Sequence, residues 1–174
     1  WTGDGALVTL RDDKEIEKRV KVMRRKGISV VDLSFSRPDI KVPRVAGDNA
    51  LIGELAAEHF KKRLFKNVAW FSTSWGHQHD LRYRSFAASF GSSIEKWIWE
   101  DALKSAKSDD WKNLSKYLIR HLEKIVKPAA IFCFDDADAS CVESAALRAG
   151  FKIPEEIAIL GAGDDEPLCE SQII

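Results

Sequence analysis

Four aspartates stand directly after two apolar runs. Residues 129–134, AAIFCF, stop at Asp135 and Asp136, and residues 157–161, IAILG, lead within a few positions to Asp164 and Asp165. A carboxylate accepts hydrogen bonds from ligand hydroxyls or enters the oxygen shell of a hard cation, so acids grouped at the ends of buried segments suit a small polar ligand. A guanidinium is available from elsewhere in the chain. Arg82 and Arg84, in LRYRSF, read as part of the first turn of a helix, where positive charge opposes the helix dipole. An anionic or polyhydroxyl partner would hold one of them there. His77, His79 and Asp80, in SWGHQHD, have metal-ligating chemistry. Two histidines at i, i+2 without a carboxylate fixed by a helix do not make a metal site, and none is expected.

The elements that must position these groups follow from periodicity. Both apolar runs have the length and composition of strands covered on two faces. Between them, Val142, Ala145, Ala146 and Ala149 fall on one side of a helix that Gly150 closes. Strand, helix, strand puts the four aspartates beyond the carboxyl ends of neighbouring strands, where open parallel sheets bind ligands. The same alternation runs upstream. A short strand at 6–10 precedes a helix capped by Asp12 or Asp13, with Ile16, Val20 and Met23 inward and Gly27 at its end. ISVVDL (28–33) is a buried strand, the proline-bearing 37–43 a loop, and 44–46 a short strand. Asp48 or Asn49 caps a regular helix whose inward face reads as Leu51, Leu55, Phe60 and Leu64. NVAWFST (67–73) is a strand, Asp80 caps the next helix, and 93–99 alternates as a half-exposed strand. After a polar linker at 101–110, Trp111, Leu114, Leu118, Leu122 and Ile125 trace an amphipathic helix. This order predicts an α/β fold with a mainly parallel sheet.

Composition narrows the function. The 174 residues carry 27 Lys plus Arg against 27 Asp plus Glu, with no basic arm to advertise nucleic-acid binding. Cys133, Cys141 and Cys169 form no CxxC pair, which argues against a disulfide framework or structural zinc and suits a reducing cytoplasm. The longest apolar runs fall far short of a membrane-spanning helix. His59 lies alone on its helix and reads as a surface or half-buried histidine.

Three blocks carry a resemblance: VPRVAGDNALIGELAAEHFKKRLFKNVAWFS, LRYRSFAASF, and PAAIFCFDDADASCVESAALRAGFKIPEEIAILGAGDDEPLCE. Together they resemble the sugar-sensing domain of LacI/GalR regulators, most nearly the xylose operon regulators in which such a domain precedes an AraC-type DNA-binding domain. The resemblance implies a periplasmic-binding-protein-like (type I) fold with parallel Rossmann-like sheets, truncated at both ends. Residues 1–47 would be a remnant of the first sugar-binding lobe, 48–165 the second and more complete lobe, and 166–174 the start of a return crossover. It implies a sugar, a pentose such as xylose, held between the lobes without chemistry and without a cofactor. Arg82, four residues before Phe86, falls on the family's sugar arginine, and Asp135 and Asp136 on its polar pair. Read without a gap, Gly163 takes the place of the family's last ligand acid; a one-residue slip puts Asp164 there. The expected partners are the sugar and a second copy of the chain, with DNA bound only through a domain that this chain lacks.

Two other functions fit parts of the pattern. Asp136 and Asp138 after one strand, with the acids after the other, mimic the carboxylate pairs that hold Mg²⁺ in haloacid dehalogenase-like phosphatases. A truncated remnant that self-associates and binds nothing is the other reading.

Overall fold

The computed structural model describes residues 3–11, 13–91, 94–103 and 111–171. In chain order the elements are β1 (Gly5–Val8), α1 (Lys14–Arg25), β2 (Ser29–Asp32), α2 (Asn49–Lys62), β3 (Asn67–Ser72), α3 (His77–Phe90) and β4 (Glu95–Ile98). They continue with α4 (Trp99–Leu103), α5 (Trp111–Lys124), β5 (Ala129–Cys133), α6 (Asp136–Arg148), β6 (Ile157–Leu160) and α7 (Glu166–Ser171). β1 and β2 pair in parallel as a small sheet, and a second, all-parallel sheet has the order β4-β3-β5-β6. The fold is thus the expected α/β arrangement of parallel sheets.

The larger sheet is covered on both faces, as its apolar strands require. On β3 and β5, Val68, Trp70, Ala130 and Phe132 pack against Ala56, Ala57, Phe60 and Phe86 of α2 and α3. The alternate residues Ala69, Phe71, Ile131 and Cys133 pack against Leu114, Leu118 and Leu122 of α5 and Val142, Ala145 and Ala146 of α6. The small sheet has its own core of Leu10, Val20 and Val30, with Ile16 and Met23 of α1 packed on it. Strand order reverses direction between β3 and β5: the chain leaves β3 for β4 on one side and returns to β5 on the other. The carboxyl ends of β3 and β5 therefore flank the sheet's switch point.

Several sequence expectations change in detail. Leu51 and Leu55 are about half exposed (48% and 54%), and the packed face of α2 is Asn49, Gly53, Ala56, Ala57 and Phe60. The reason is the close approach of α3. A Cβ on Gly53 would run into the Arg82 carbonyl oxygen and come within 2.8 Å of the Phe86 nitrogen, so only small side chains fit along this seam. Asp48 caps α2 by accepting from the Ala50 and Leu51 amides, and Asp13 caps α1. Asp80 is not a cap: α3 begins three residues earlier, after Gly76, and Asp80 pairs with Arg84 at 2.8 Å. The early start also moves Arg82 out of the first turn. The expected strand at 44–46 reduces to a single bridge between Arg44 and Asp32. Asp101, Ala102 and Leu103 of the expected linker close α4, while 104–110 and Ser93 lie outside the described residues.

Gly53→Ala is expected to lower stability by about 1–3 kcal/mol, because the added methyl meets backbone rather than a movable side chain. Urea denaturation measures this; an unchanged midpoint would mean that α2 and α3 do not pack at this distance.

Candidate functional site

At the switch point, the ends of β3 and β5 face the ends of β1 and β2 across a cavity of about 290 Å³. The small sheet contributes Thr9, Arg11, Ser34 and Ser36, and the larger unit contributes Thr73, Gln78, His79, Phe134, Asp135 and Asp138. The two units touch beside it: Gln78 Nε2 donates to Ser36 Oγ at 2.8 Å, and the rings of Phe35 and His77 meet edge to face at 4.8 Å. One wall thus carries a guanidinium and hydroxyls and the other carries carboxylates, an imidazole and a phenyl ring. This combination accepts a small ligand with many hydroxyls, since carboxylates take O–H donors, the guanidinium gives N–H donors and the ring covers an apolar face.

The carboxylates are placed by the start of α6. Asp135 caps the helix, its Oδ1 accepting from the Asp138 amide at 2.8 Å. Asp138 is almost fully buried and reaches across to β3, accepting from the Thr73 hydroxyl at 2.8 Å and from the Thr73 amide. Burial, reinforced by the Asp135 charge, raises Asp138 to about 6. His79 stacks on Phe134 with ring centroids 3.8 Å apart. Burial, together with the Arg82 charge, lowers His79 to about 4, so at neutral pH it is a neutral ring. Its Nε2 lies 3.3 Å from Ser74 Oγ, whereas its buried Nδ1 has no hydrogen-bond partner among the described residues.

The four residues expected from sequence are not gathered in one place. Asp135 lines the cavity between the units and also a second one of about 300 Å³ beside the loop after β6. Asp136 lines only that second cavity, where its Oδ2 accepts from the Asp165 amide at 2.8 Å. Arg82 and Asp164 are among the lining residues of neither. Asp164 is exposed with φ 58°. Arg82 is buried, its Nε and Nη2 donating to Asn49 Oδ1 at 3.1 and 2.8 Å and its Nη1 to the Phe134 carbonyl. The loop's glycines explain why no acid stands at 163. Gly163 has φ +151°, and a Cβ there would sit 3.0 Å from Asp136 Oδ2. Arg11, Gln78, His79 and Asp138 are the groups that sequence reasoning did not assign to this cavity. For Asp138 a signal existed, its pairing with Asp136 after a buried strand, but that pattern pointed to Mg²⁺ and not to a wall of this cavity.

A family model for the periplasmic binding protein-like domain matches residues 57–173. The chain belongs to that family. Among solved structures, it is similar to a xylose-binding transcription activator, xylR, with a TM-score of 0.73 at 19% identity over 95% of this chain. A LacI-family regulatory protein from Chloroflexus aggregans is similar with a TM-score of 0.72 at 20% identity over 96% of the chain. A transcription regulator from Lactobacillus plantarum gives 0.74 at 12% identity over 99%. The chain spans 44%, 59% and 63% of these three structures, respectively. No curated protein matches it. The type I fold is therefore shared with part of the chain of solved transcription regulators. Among the described residues, no group of three or more His, Cys, Asp or Glu is arranged to hold a metal ion, and no helix is long and apolar enough to cross a membrane.

His79 and Asp138 give opposite pH dependences. Asp138, raised from 3.8 to about 6, adds stability as pH falls through that interval, because the folded state holds its proton more tightly. His79, lowered from 6.5 to about 4, removes stability over nearly the same range, because only the unfolded chain takes up the proton. Their contributions offset each other in the native chain. Asp138→Asn is expected to steepen the acid-side loss by about 1–2 kcal/mol, and His79→Gln to reduce it by a similar amount. Urea denaturation across this pH range reads both; identical slopes in the two variants would show that these groups are not buried as described.

Proposed function

We propose that this chain is the effector-binding part of a sugar-responsive transcription regulator, and that the sugar is held between the two units at the switch point. The observation that carries this reading is the composition of the cavity, with Arg11 and serines on one wall facing Asp135, Asp138 and His79 on the other. Ser74 Oγ lies 3.3 Å from His79 Nε2, but no carboxylate among the described residues holds His79 Nδ1 to orient the ring as a base, so the set is read as a binding site. The volume, about 290 Å³, lies at the small end of ligand pockets and suits a monosaccharide. A xylose-type pentose is the first candidate, since a similar structure is that of a xylose-binding activator. Asp135 is the contact retained from the sequence-based set. Arg82 serves the same site by holding Phe134, while Asp136 and Asp164 would act from the adjoining loop. Closure of the two units on the ligand is the signal, a shift between open and closed populations. A second copy of the chain, and DNA reached through a further domain, complete the proposed regulator.

A thermal-shift panel of pentoses and hexoses tests this reading. At a sugar concentration about 100-fold above Kd, a ligand of the native state adds about 2.7 kcal/mol of stability. Arg11→Ala and Asp135→Asn, which retains the helix cap, are each expected to weaken the responding sugar about tenfold or more. No response to any sugar, or unchanged affinity in both variants, would contradict the assignment.

A further inference from the structure

Helices α1, α2 and α3 each pair one or two exposed cations with acids one helical turn away. α1 has Arg19 with Glu15 and Lys21 with Glu17, α2 has Lys62 with Glu58, and α3 has Arg84 with Asp80. The last three cations of α5 have no such pair among the described residues. The α5 sequence, WKNLSKYLIRHLEK, holds four Lys or Arg and a single Glu, in a chain whose charges balance overall at 27 and 27. Lys116, Arg120 and Lys124 recur at i, i+4 and i+8, so they form one exposed ridge with a rise of about 6 Å between neighbours. None of the three is paired with an acid among the described residues.

The ridge borders a groove of about 520 Å³, larger than the cavity between the units. Its wall is aromatic. Tyr117 and His121 lie with ring centroids 4.2 Å apart, and Tyr117 meets Trp99 at 5.4 Å. Asp101 is near enough to be felt by Tyr117, and among the described residues no carboxylate lines the groove. His121 Nδ1 lies 2.8 Å from the Tyr117 carbonyl oxygen. A carbonyl only accepts, so Nδ1 carries the proton there and Nε2 is the ring nitrogen left for other contacts. Like charges one turn apart on a helix repel, and a ridge of three gains when a multivalent anion bridges them.

We propose that this groove is a second ligand site, outside the cleft, for a small anion bearing more than one phosphate charge, either a diphosphate or a phosphorylated metabolite. Lys116, Arg120 and Lys124 take the phosphate oxygens, and His121 with Tyr117 borders them. A single carboxylate would satisfy one cation; two phosphoryl groups match two adjacent turns. The site lies on the α5 side of the larger sheet, so it does not depend on what the cleft binds.

The test is titration of inorganic diphosphate into the isotope-labelled full chain at near-physiological salt, followed by NMR. The His121 ring signals and the α5 amides are expected to move. Neutralising two ridge cations together, Lys116→Gln with Arg120→Gln, should weaken binding about tenfold or more. The matched double change on α1, Lys18→Gln with Arg25→Gln, should leave it unchanged. Absence of shifts at His121, or equal weakening by the α1 pair, overturns the proposal. So does a random-sequence DNA duplex that moves the α5 signals when diphosphate does not, since the ridge would then be a nucleic-acid face.

Discussion

The guanidinium of Arg82 is the interaction on which the cleft depends. A buried charge costs several kcal/mol in lost hydration unless its hydrogen bonds are made. Here Asn49 takes two of them and the Phe134 carbonyl a third, while the cation lies 4.3 Å from the Phe134 ring centre. These contacts join the first residue of α2, the middle of α3 and the chain just beyond β5. The Phe134 ring is fixed in turn against His79, so one wall of the cleft inherits its position from an arginine that does not line it. The tight α2–α3 seam at Gly53 belongs to the same arrangement, since the Arg82 backbone is what a larger side chain there would strike.

The smaller unit solves the same problem with the opposite charge. Asp32, fully buried at the end of β2, accepts from the Leu10 amide and from the amide and hydroxyl of Ser34, and pairs with Arg44 at 2.7 Å. Burial alone would raise its pKa, but the bonds from Arg44, Ser34 and Leu10 outweigh it and the group is held below its ordinary value. Ser34, thus locked, stands in the cleft wall beside Ser36, which Gln78 of α3 reaches from the other unit. Each unit therefore holds a satisfied buried charge that stiffens its rim. The groups left to meet a ligand, among them Arg11, His79 and Asp135, are carried on those rims.

Strand β5, helix α5 and the acids after β5 were legible in the sequence because continuous burial and a three-four apolar repeat each leave a single reading. The inward face of α2 was not. Pattern reasoning chose Leu51 and Leu55 for their hydrophobicity, whereas helix proximity selected Gly53, Ala56 and Ala57, and proximity has no signature in one sequence. The separate roles of the aspartates were not legible for a related reason: position at a strand end is readable, but the direction of a side chain is not. Asp138 crosses to Thr73 and Asp136 turns toward the Asp165 amide, leaving Asp135 shared between the two cavities. Arg11 was unreadable as a wall residue because it depends on how the small sheet faces the large one, a relation fixed by Ser36–Gln78 and Phe35–His77 contacts far apart in sequence.

The proposed ligand sits between the two units at the β3–β5 switch point. A crystal structure of the chain with the sugar that binds most tightly tests it directly. Sugar density is expected between Arg11 and the Asp135–His79 wall. Density confined to the loop cavity beside Asp136 and Gly163, with the space between the units unchanged, would contradict it.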